Sequence, residues 1–343
     1  MTEAEHGRVT IRAIADEAGV SVPTVSRVIN GRSDVAPETR KRVEALLTER
    51  GYQRRRSNRA PGRNARLVDL VFNELDSPWA VEIIRGVEDA CHAAGVGTVV
   101  SAVHRRRALT EQWLDNLRTR ASDGVILVVS TLSSPILEQL RNLRVPMVVL
   151  DPAGGPTLEA PAIGATNWAG GLAATEHLIG LGHRRIGFIH GPKQVLASRA
   201  RFDGYRAALD AAGIPYDPAL IYDGDFYHQS GFDAAKALLS LDDAPTAIFA
   251  SSDQMAFGAY EAIRQSGLRI PEHVSVVGFD DLPESRWTSP PLTTVRQPLA
   301  EMGALAARTV LELASGNEVD TPRLELATEM VVRESTAALE DSR

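Results

Sequence analysis

Seven short apolar stretches, each followed by a helical pattern, constrain how most of this chain can fold. The stretches cover residues 67–72, 97–103, 124–129, 146–150, 185–190, 246–250 and 274–279. Helical patterns cover residues 79–94, 110–120, 135–142, 169–181, 199–212, 230–239 and 253–266. Apolar strands that alternate with helices predict parallel sheets covered by helices on both faces. Two such runs follow one another with a break around residues 151–164, so we predict two doubly wound lobes.

Polar and aromatic residues follow these strands, where ligands of doubly wound sheets bind. The candidate ligand-binding residues are Asp76, Trp79, Asp151, Asn167, Trp168, Arg201, Phe226, Ser252, Asp253, Asp280 and Trp287. Aromatic faces contact the C–H groups of a sugar ring, and charged groups bind pairs of hydroxyls, so the set predicts a sugar cleft between the lobes. Stacking on Trp or Phe suits a nucleobase equally well. Asp253 is equally suited to cap the helix that it opens, and Trp79 to the core of the first lobe.

The N-terminal pattern predicts two short helices joined by a tight turn. Thr10 can cap the first helix, Gly19 ends it, and Ser21 can cap the second. The inward-facing apolar residues are Ile11, Ile14, Ala15, Ala18, Val25, Val28 and Ile29. Because Thr24, Arg27 and Asn30 share the outward face of the second helix, the pair resembles a helix-turn-helix with a DNA recognition helix. An ordinary helical hairpin with a solvated polar face is the alternative.

A third helix and an arginine-rich segment follow. Residues 37–50 place Val43, Leu46 and Leu47 on one face, which closes a small three-helix core, and Pro37 suits the first turn. Residues 53–63 contain five arginines and few apolar side chains, so we expect this segment to be disordered when isolated.

Charge is distributed unevenly along the 343 residues. Residues 1–66 carry 14 Lys+Arg against 8 Asp+Glu, a net charge of +6, whereas the remainder carries 23 against 36, a net charge of −13. The N-terminal segment is therefore the expected phosphate-binding surface.

Several function classes lack their sequence signatures. No stretch resembles an export signal or a membrane span, which predicts a cytoplasmic protein and argues against a periplasmic carrier. No phosphate-binding loop or nucleophile elbow is present, so we expect no enzymatic activity and no cofactor. The eight histidines show no paired ligand spacing, so no metal site is expected, and the single cysteine, Cys91, fits a helical core position.

Particular residues carry a resemblance to a known family. Residues 9–30, Val35, residues 37–40 and the pair Gly51–Tyr52 resemble the N-terminal domain of LacI/GalR-type bacterial transcription regulators, and the resemblance extends over nearly the whole chain. It implies an all-α helix-turn-helix domain at residues 8–52, a hinge at 53–66 and a periplasmic-binding-protein-like α/β body at 67–343. The implied first lobe comprises residues 67–163 and 296–322, and the second comprises 164–290 and 323–335.

The resemblance also assigns DNA-binding positions. Val22, Pro23 and Arg27 match base-reading positions, and Arg27 can donate two hydrogen bonds to a guanine. The other DNA-contacting candidates are Thr10, Ser21, Thr24, Ser26, Asn30 and Thr39 in the helical domain and Arg55, Arg56, Arg59 and Pro61 in the hinge. Family members wedge a leucine from a hinge helix into the minor groove. Pro61 occupies that position here, and Arg54 replaces a usual proline, so the arginines are expected to read a narrow groove electrostatically.

The function that the resemblance implies is a repressor of carbohydrate-utilisation genes that a sugar effector releases from its operator. We expect a homodimer, because the chain ends without apolar heptads that would build a tetramer, and hence a pseudopalindromic operator. Arg201 and Asp280 match effector-binding positions, whereas Thr166 and Ser252 replace the usual aspartate and asparagine. A regulator with a purine or other non-sugar corepressor and a sugar-binding protein without DNA function are the alternatives.

Overall fold

The structure is a computed structural model that describes residues 11–29, 35–50, 66–103, 107–128, 134–152, 160–319 and 323–339. The chain divides into two compact units, Met1–Arg63 and Asn64–Arg343. The first unit is referred to below as the head and the second as the body.

The head is a small three-helix domain. Its helices are α1 (Ile11–Ala18), α2 (Val22–Ile29) and α3 (Pro37–Glu49). Its buried core consists of Ile14, Ala15, Ala18, Val25, Val28, Val35 and Val43. Gly19 has a φ of +61°, a conformation that glycine adopts without strain, and this allows the sharp turn between α1 and α2. The helix-turn-helix predicted from apolar spacing is therefore present.

The body contains alternating strands and helices. Its strands are β1 (Leu67–Phe72), β2 (Gly97–Ala102), β3 (Gly124–Val128), β4 (Met147–Leu150), β5 (Ala162–Ala165), β6 (Ile186–His190), β7 (Ile221–Asp223), β8 (Ala247–Ala250), β9 (Ser275–Asp280), β10 (Thr293–Arg296), β11 (Arg323–Leu326) and β12 (Glu329–Val331). Its helices are α4 (Pro78–Ala93), α5 (Arg107–Arg120), α6 (Ser134–Leu143), α7 (Asn167–Gly180), α8 (Leu196–Ala211), α9 (His228–Leu239), α10 (Asp253–Gln265) and α11 (Leu299–Ala314).

Each lobe is built on one six-stranded sheet. The first sheet has the order β11-β5-β4-β3-β1-β2 and is parallel throughout, and α4 and α11 pack together on its apolar core. The second has the order β7-β6-β8-β9-β10-β12, in which only the edge strand β12 is antiparallel. The predicted doubly wound α/β architecture is confirmed, because the strands are buried on both faces and require helices on both sides.

The final part of the chain differs from the prediction. The resemblance assigns residues 323–335 to the second lobe, but β11 joins the first sheet and β12 joins the second. The assignment of residues 323–335 to one lobe is therefore wrong. Strand β5 begins inside the predicted interlobe break, and β10 precedes the point where the chain crosses between the lobes. These strands have three or four residues that include polar residues or glycine, so they lack a continuous apolar run.

Three chain crossings connect the lobes, after β5, after β10 and after β11. Two of them are hydrogen-bonded to each other. The backbone N–H of Thr328 donates to Thr166 Oγ1 at 2.9 Å, and the Thr328 hydroxyl donates to the Thr166 carbonyl at 3.2 Å. Thr166, at a position where the resemblance implies an aspartate, thus joins two crossings.

Paired glycines bring neighbouring helices into close contact. A Cβ atom on Gly171 of α7 would lie 2.2 Å from the carbonyl oxygen of Arg201 in α8, and one on Gly204 of α8 would lie 2.2 Å from the carbonyl oxygen of Trp168. Glycine pairs also occur where α9 crosses α10 and where α4 crosses α11. The α7–α8 pair fixes the backbone that carries Arg201.

Neither a membrane span nor a metal cluster is found in the described ranges. No helix there is long and apolar enough to cross a bilayer. Within the same ranges, no group of three or more His, Cys, Asp or Glu side chains has a metal-binding arrangement.

We predict that Gly171→Ala destabilises the body by about 1–3 kcal/mol, because the added methyl group forces α7 and α8 apart. Thermal unfolding of the full chain checks this. Gly180→Ala is the matched control, since Gly180 ends the same helix and a Cβ there has no heavy atom within 4 Å. Equal melting temperatures for the two variants would contradict the role of the crossing.

Candidate functional site

A cleft at the junction of the two lobes collects residues from the ends of both sheets. We call it the interlobe cleft. Six of the predicted ligand-binding residues line it, namely Trp79, Asp151, Arg201, Phe226, Ser252 and Asp280. Asp151 follows β4 of the first lobe, whereas Asp280 ends β9 of the second. The cleft therefore forms where the carboxyl ends of the strands meet, as the topology requires.

Arg201 is the buried cation of the interlobe cleft. Its Nε donates to Asn167 Oδ1 at 2.8 Å, and its Nη1 donates to the Ser251 carbonyl at 2.6 Å. The guanidinium carbon lies 3.8 Å from the centroid of the Phe279 ring, which packs against its flat face. These two bonds use two of the five N–H donors, so the guanidinium retains donors for a ligand.

Two carboxylates from different lobes, Asp280 and Asp151, interact electrostatically with Arg201. Asp280 Oδ1 lies 3.8 Å from Arg201 Nη1 and accepts a 2.7 Å hydrogen bond from Gln297 Nε2. Burial raises the pKa of Asp280 to about 6, although the Arg201 charge opposes that rise. Burial also raises the pKa of Asp151, again against the charge of Arg201. The cleft thus offers two acceptors and a cation that are poorly solvated, which strengthens any hydrogen bond they make with a ligand.

Three cleft residues adopt backbone conformations with positive φ. The angles are +50° for Asp151, +76° for Phe226 and +129° for Asp280. Such conformations cost non-glycine residues about 1–3 kcal/mol each and persist where the surrounding structure fixes them. Three of the seven non-glycine residues with positive φ among the described residues line this one cleft, which makes it the candidate functional site of the body.

The second helix of the head presents its predicted base-reading residues to solvent. Val22, Pro23 and Arg27 are exposed on α2, with Val22 42% accessible. Ser21 caps the helix, since the backbone N–H of Thr24 donates to Ser21 Oγ at 3.3 Å. Ser26 and Thr39 are partly buried. Thr10, Asn30, Arg55, Arg56, Arg59 and Pro61 lie outside the described residues.

Comparisons with known proteins agree with both units. Residues 10–55 match the model described as bacterial regulatory proteins, lacI family, and residues 175–336 match a periplasmic binding protein-like domain. The HTH-type transcriptional regulator CelR of Thermobifida fusca is 38% identical over 335 residues, 96% of this chain and 98% of CelR. The chain belongs to the LacI family. As a member, it is a DNA-binding transcriptional regulator.

Solved LacI-family structures support the same assignment. A CelR–cellobiose complex is 37% identical, covers 96% of this chain and all of the other, and superimposes with a TM-score of 0.74. The lac repressor dimer bound to operator and an anti-inducer is 31% identical, covers 96% and 99% of the two chains, and has a TM-score of 0.71.

Asp253 and Asn167, which we predicted to contact ligand, form side-chain hydrogen bonds with other protein groups. The two carboxylate oxygens of Asp253 accept from the Leu282 backbone N–H at 2.8 Å and the Thr294 hydroxyl at 2.5 Å. Asn167 is 7% exposed, and its Oδ1 accepts the hydrogen bond from Arg201 Nε. Both side chains are buried, and neither is among the residues that line the interlobe cleft.

Three other predicted residues also lie outside the cleft lining. Trp287 is 74% exposed and borders a separate groove beside Arg286 and Arg296, and Trp168 is 48% exposed at the start of α7. Asp76 is exposed and accepts a 2.9 Å hydrogen bond from the Tyr227 hydroxyl of the other lobe. Position at the end of a strand predicts which segments lie near the cleft. The direction of each side chain then determines which residues of those segments line it.

The cleft also contains residues that were not among the predicted set. They include Asn73, Ser77, Pro192, Asp225, Tyr227 and Gln254. Asn73 directly follows β1, so the strand-end rule applies to it as strongly as to Asp151. Pro192 is the second residue after β6, but a search for polar and aromatic residues overlooks it.

We predict that Asp253→Asn reduces the loss of stability with rising pH. Burial, reinforced by the nearby charge of Asp280, raises the pKa of Asp253 to about 8, against about 3.9 in an unfolded chain. The folded state therefore binds more protons between these values, so this contribution to stability is complete below about pH 4 and is lost as pH rises through 8.

Urea unfolding at pH 5 and pH 8 measures the effect. Between pH 5 and pH 8, the free energy of unfolding of the wild-type chain should fall by about 1–4 kcal/mol more than that of Asp253→Asn. Asp210→Asn, at an exposed position of α8, is the control and should retain the wild-type pH dependence. If Asp253→Asn also retained it, Asp253 would be ionised throughout.

Proposed function

We propose that this chain is a homodimeric transcriptional repressor of carbohydrate-utilisation genes that binds a pseudopalindromic operator and is released by a sugar. The supporting observation is the presence in one chain of a head exposing Arg27 on α2 and a body whose cleft gathers Arg201, Asp151 and Asp280 from two lobes. The head supplies recognition, and the cleft supplies a ligand-sensitive joint.

The exposed face of α2 accounts for recognition of DNA. Arg27 can donate a bidentate pair of hydrogen bonds to guanine, whereas Val22 and Pro23 offer only apolar contacts, as to a thymine methyl. Ser21, Thr24, Ser26 and Thr39 are suited to phosphates, where hydroxyl donors position the helix without reading sequence. A two-fold dimer would then read two half-sites of related sequence.

The composition of the interlobe cleft favours a sugar. Trp79 and Phe226 provide aromatic faces, and Asp151, Asp280 and Arg201 provide acceptors and donors for hydroxyl pairs. The relative CelR has been solved with cellobiose and is 37% identical along almost the whole chain. We therefore propose a neutral sugar of the mono- or disaccharide class as effector, and cellobiose as the first probe.

The two lobes give the sugar a means to act on DNA binding. Because Asp151 and Asp280 belong to different lobes, a ligand that bonds to both favours one lobe arrangement over the other. A ligand shifts such an equilibrium only by its difference in affinity for the two arrangements, and a hundredfold difference corresponds to about 2.7 kcal/mol. One or two charge-assisted hydrogen bonds supply that amount. The proposed role requires binding and release without any chemical step, so we propose no enzymatic activity.

We predict that Arg27→Ala lowers affinity for the preferred operator at least tenfold more than for random duplex. Selection from a random duplex library defines the operator, and gel-shift titration compares the variants. Arg42→Ala, at an exposed position of α3, removes the same charge and should weaken both DNAs similarly. An equal loss on both DNAs for Arg27→Ala would make Arg27 a phosphate contact.

We predict that Asp280→Asn weakens cellobiose binding about tenfold or more while leaving operator affinity unchanged, because a buried charged acceptor is lost. Calorimetry measures the sugar and gel shift measures the operator. Asp210→Asn is the control. Thermal-shift screening of wild-type protein with cellobiose, other mono- and disaccharides and nucleobases tests the ligand class. Stabilisation by nucleobases alone would contradict the sugar assignment.

A further inference from the structure

A side-chain hydrogen bond between the two lobes spans the mouth of the interlobe cleft. The hydroxyl of Tyr227, in the second lobe, donates to Asp76 Oδ1, in the first lobe, at 2.9 Å. Tyr227 also lines the cleft, whereas Asp76 is exposed at its rim. Any opening of the lobes at this edge must separate these two atoms.

Both partners are fixed to their own lobes. On the second lobe, Asp225 Oδ1 accepts from the Tyr227 backbone N–H at 2.9 Å and from the Ser230 hydroxyl at 2.6 Å, which ties the segment to the start of α9. On the first lobe, Asp76 immediately precedes Ser77, whose hydroxyl caps α4 by accepting from the Trp79 backbone N–H at 3.3 Å.

The same short segments carry the two aromatic walls of the cleft. Phe226 directly precedes Tyr227, and Trp79 lies three residues after Asp76. The Phe226 ring centroid lies 5.6 Å from the guanidinium carbon of Arg201. The bond therefore connects the two segments that carry the aromatic surfaces of the cleft.

We propose that the Tyr227–Asp76 hydrogen bond is a latch that controls the rate at which ligand enters and leaves the interlobe cleft. The identity of the ligand that the latch admits rests on the proposed function. The existence of the latch does not depend on that function. A latch that closes with and without ligand must open for both binding and release. Removing it accelerates both rates and changes the equilibrium affinity little.

This behaviour separates a latch from a direct sugar contact by Tyr227. One exposed hydrogen bond is worth about a two- to tenfold change in an equilibrium constant. Tyr227→Phe removes the donor and Asp76→Ala removes the acceptor, so each should raise the association and dissociation rates of cellobiose by that factor. Because both changes break the same bond, the double variant should equal either single variant. A direct contact would raise dissociation alone, and Asp76→Ala would not reproduce it.

The kinetic experiment is stopped-flow fluorescence with cellobiose on the full chain. Tyr216→Phe is the matched control, because it removes a tyrosine hydroxyl from a site beside Arg206 of α8. It should leave both rates unchanged. Additive effects of the two latch variants, or a change in dissociation alone, would overturn the proposal.

A ligand-free experiment tests the latch independently of any sugar. In a Trp168→Phe/Trp287→Phe background, the remaining tryptophans are Trp79 in the cleft and Trp113, which is 4% exposed. Tyr227→Phe and Asp76→Ala should each increase acrylamide quenching of the Trp79 emission about twofold, and Tyr216→Phe should not. Unchanged quenching in both latch variants would overturn the latch, whereas increased quenching without cellobiose binding would contradict the sugar assignment alone.

Discussion

The buried guanidinium of Arg201 is the constraint on which the rest of the body depends. A cation removed from water costs several kcal/mol unless charged and polar partners replace its hydration. Asn167, the Ser251 carbonyl, Asp280 and the Phe279 ring supply that replacement, and Asp151 adds a second negative charge from the other lobe. The fold must deliver all of these groups to one point. The paired glycines of α7 and α8, which let the two helix backbones approach closely, are part of how it does so.

The same residues connect the cleft with the joints between the lobes. Gln297, in the crossing after β10, donates to the side chain of Asp280, and its backbone N–H donates to the Asp280 carbonyl at 3.2 Å. The side chain of Asp281, the next residue, accepts hydrogen bonds from two arginines of the second lobe. Arg296 ends β10, and Arg333 lies two residues after β12. A ligand that changes the bonding of Asp280 therefore acts on a residue already tied to a crossing. This proximity gives a short physical route from the interlobe cleft to the lobe arrangement.

Sequence patterns predicted most of the architecture because the main forces act on regular periods. The buried strands β1, β3, β6, β8 and β9 are continuous apolar runs, and the helices of the head show clear three- and four-residue spacing. The short strands β5, β7, β10, β11 and β12 were missed or merged because polar residues or glycine interrupt them, unlike β4 and β8, which are equally short but continuously apolar. Their pairing depends on neighbours distant in sequence, as when β11 adds to the edge beside β5.

For the candidate site as well, local sequence patterns predicted some features and tertiary contacts determined the others. The sequence by itself determined that polar and aromatic residues follow the strands, and that Arg27 lies on the outward face of α2, because both follow from local periodicity. Only the tertiary structure decided that Asp253 and Asn167 form hydrogen bonds with other protein groups and do not line the cleft, that Trp287 faces solvent, and that Tyr227 meets Asp76 across 151 residues of chain. These outcomes depend on side-chain direction and on which lobes face each other, and neither property is encoded in a local pattern.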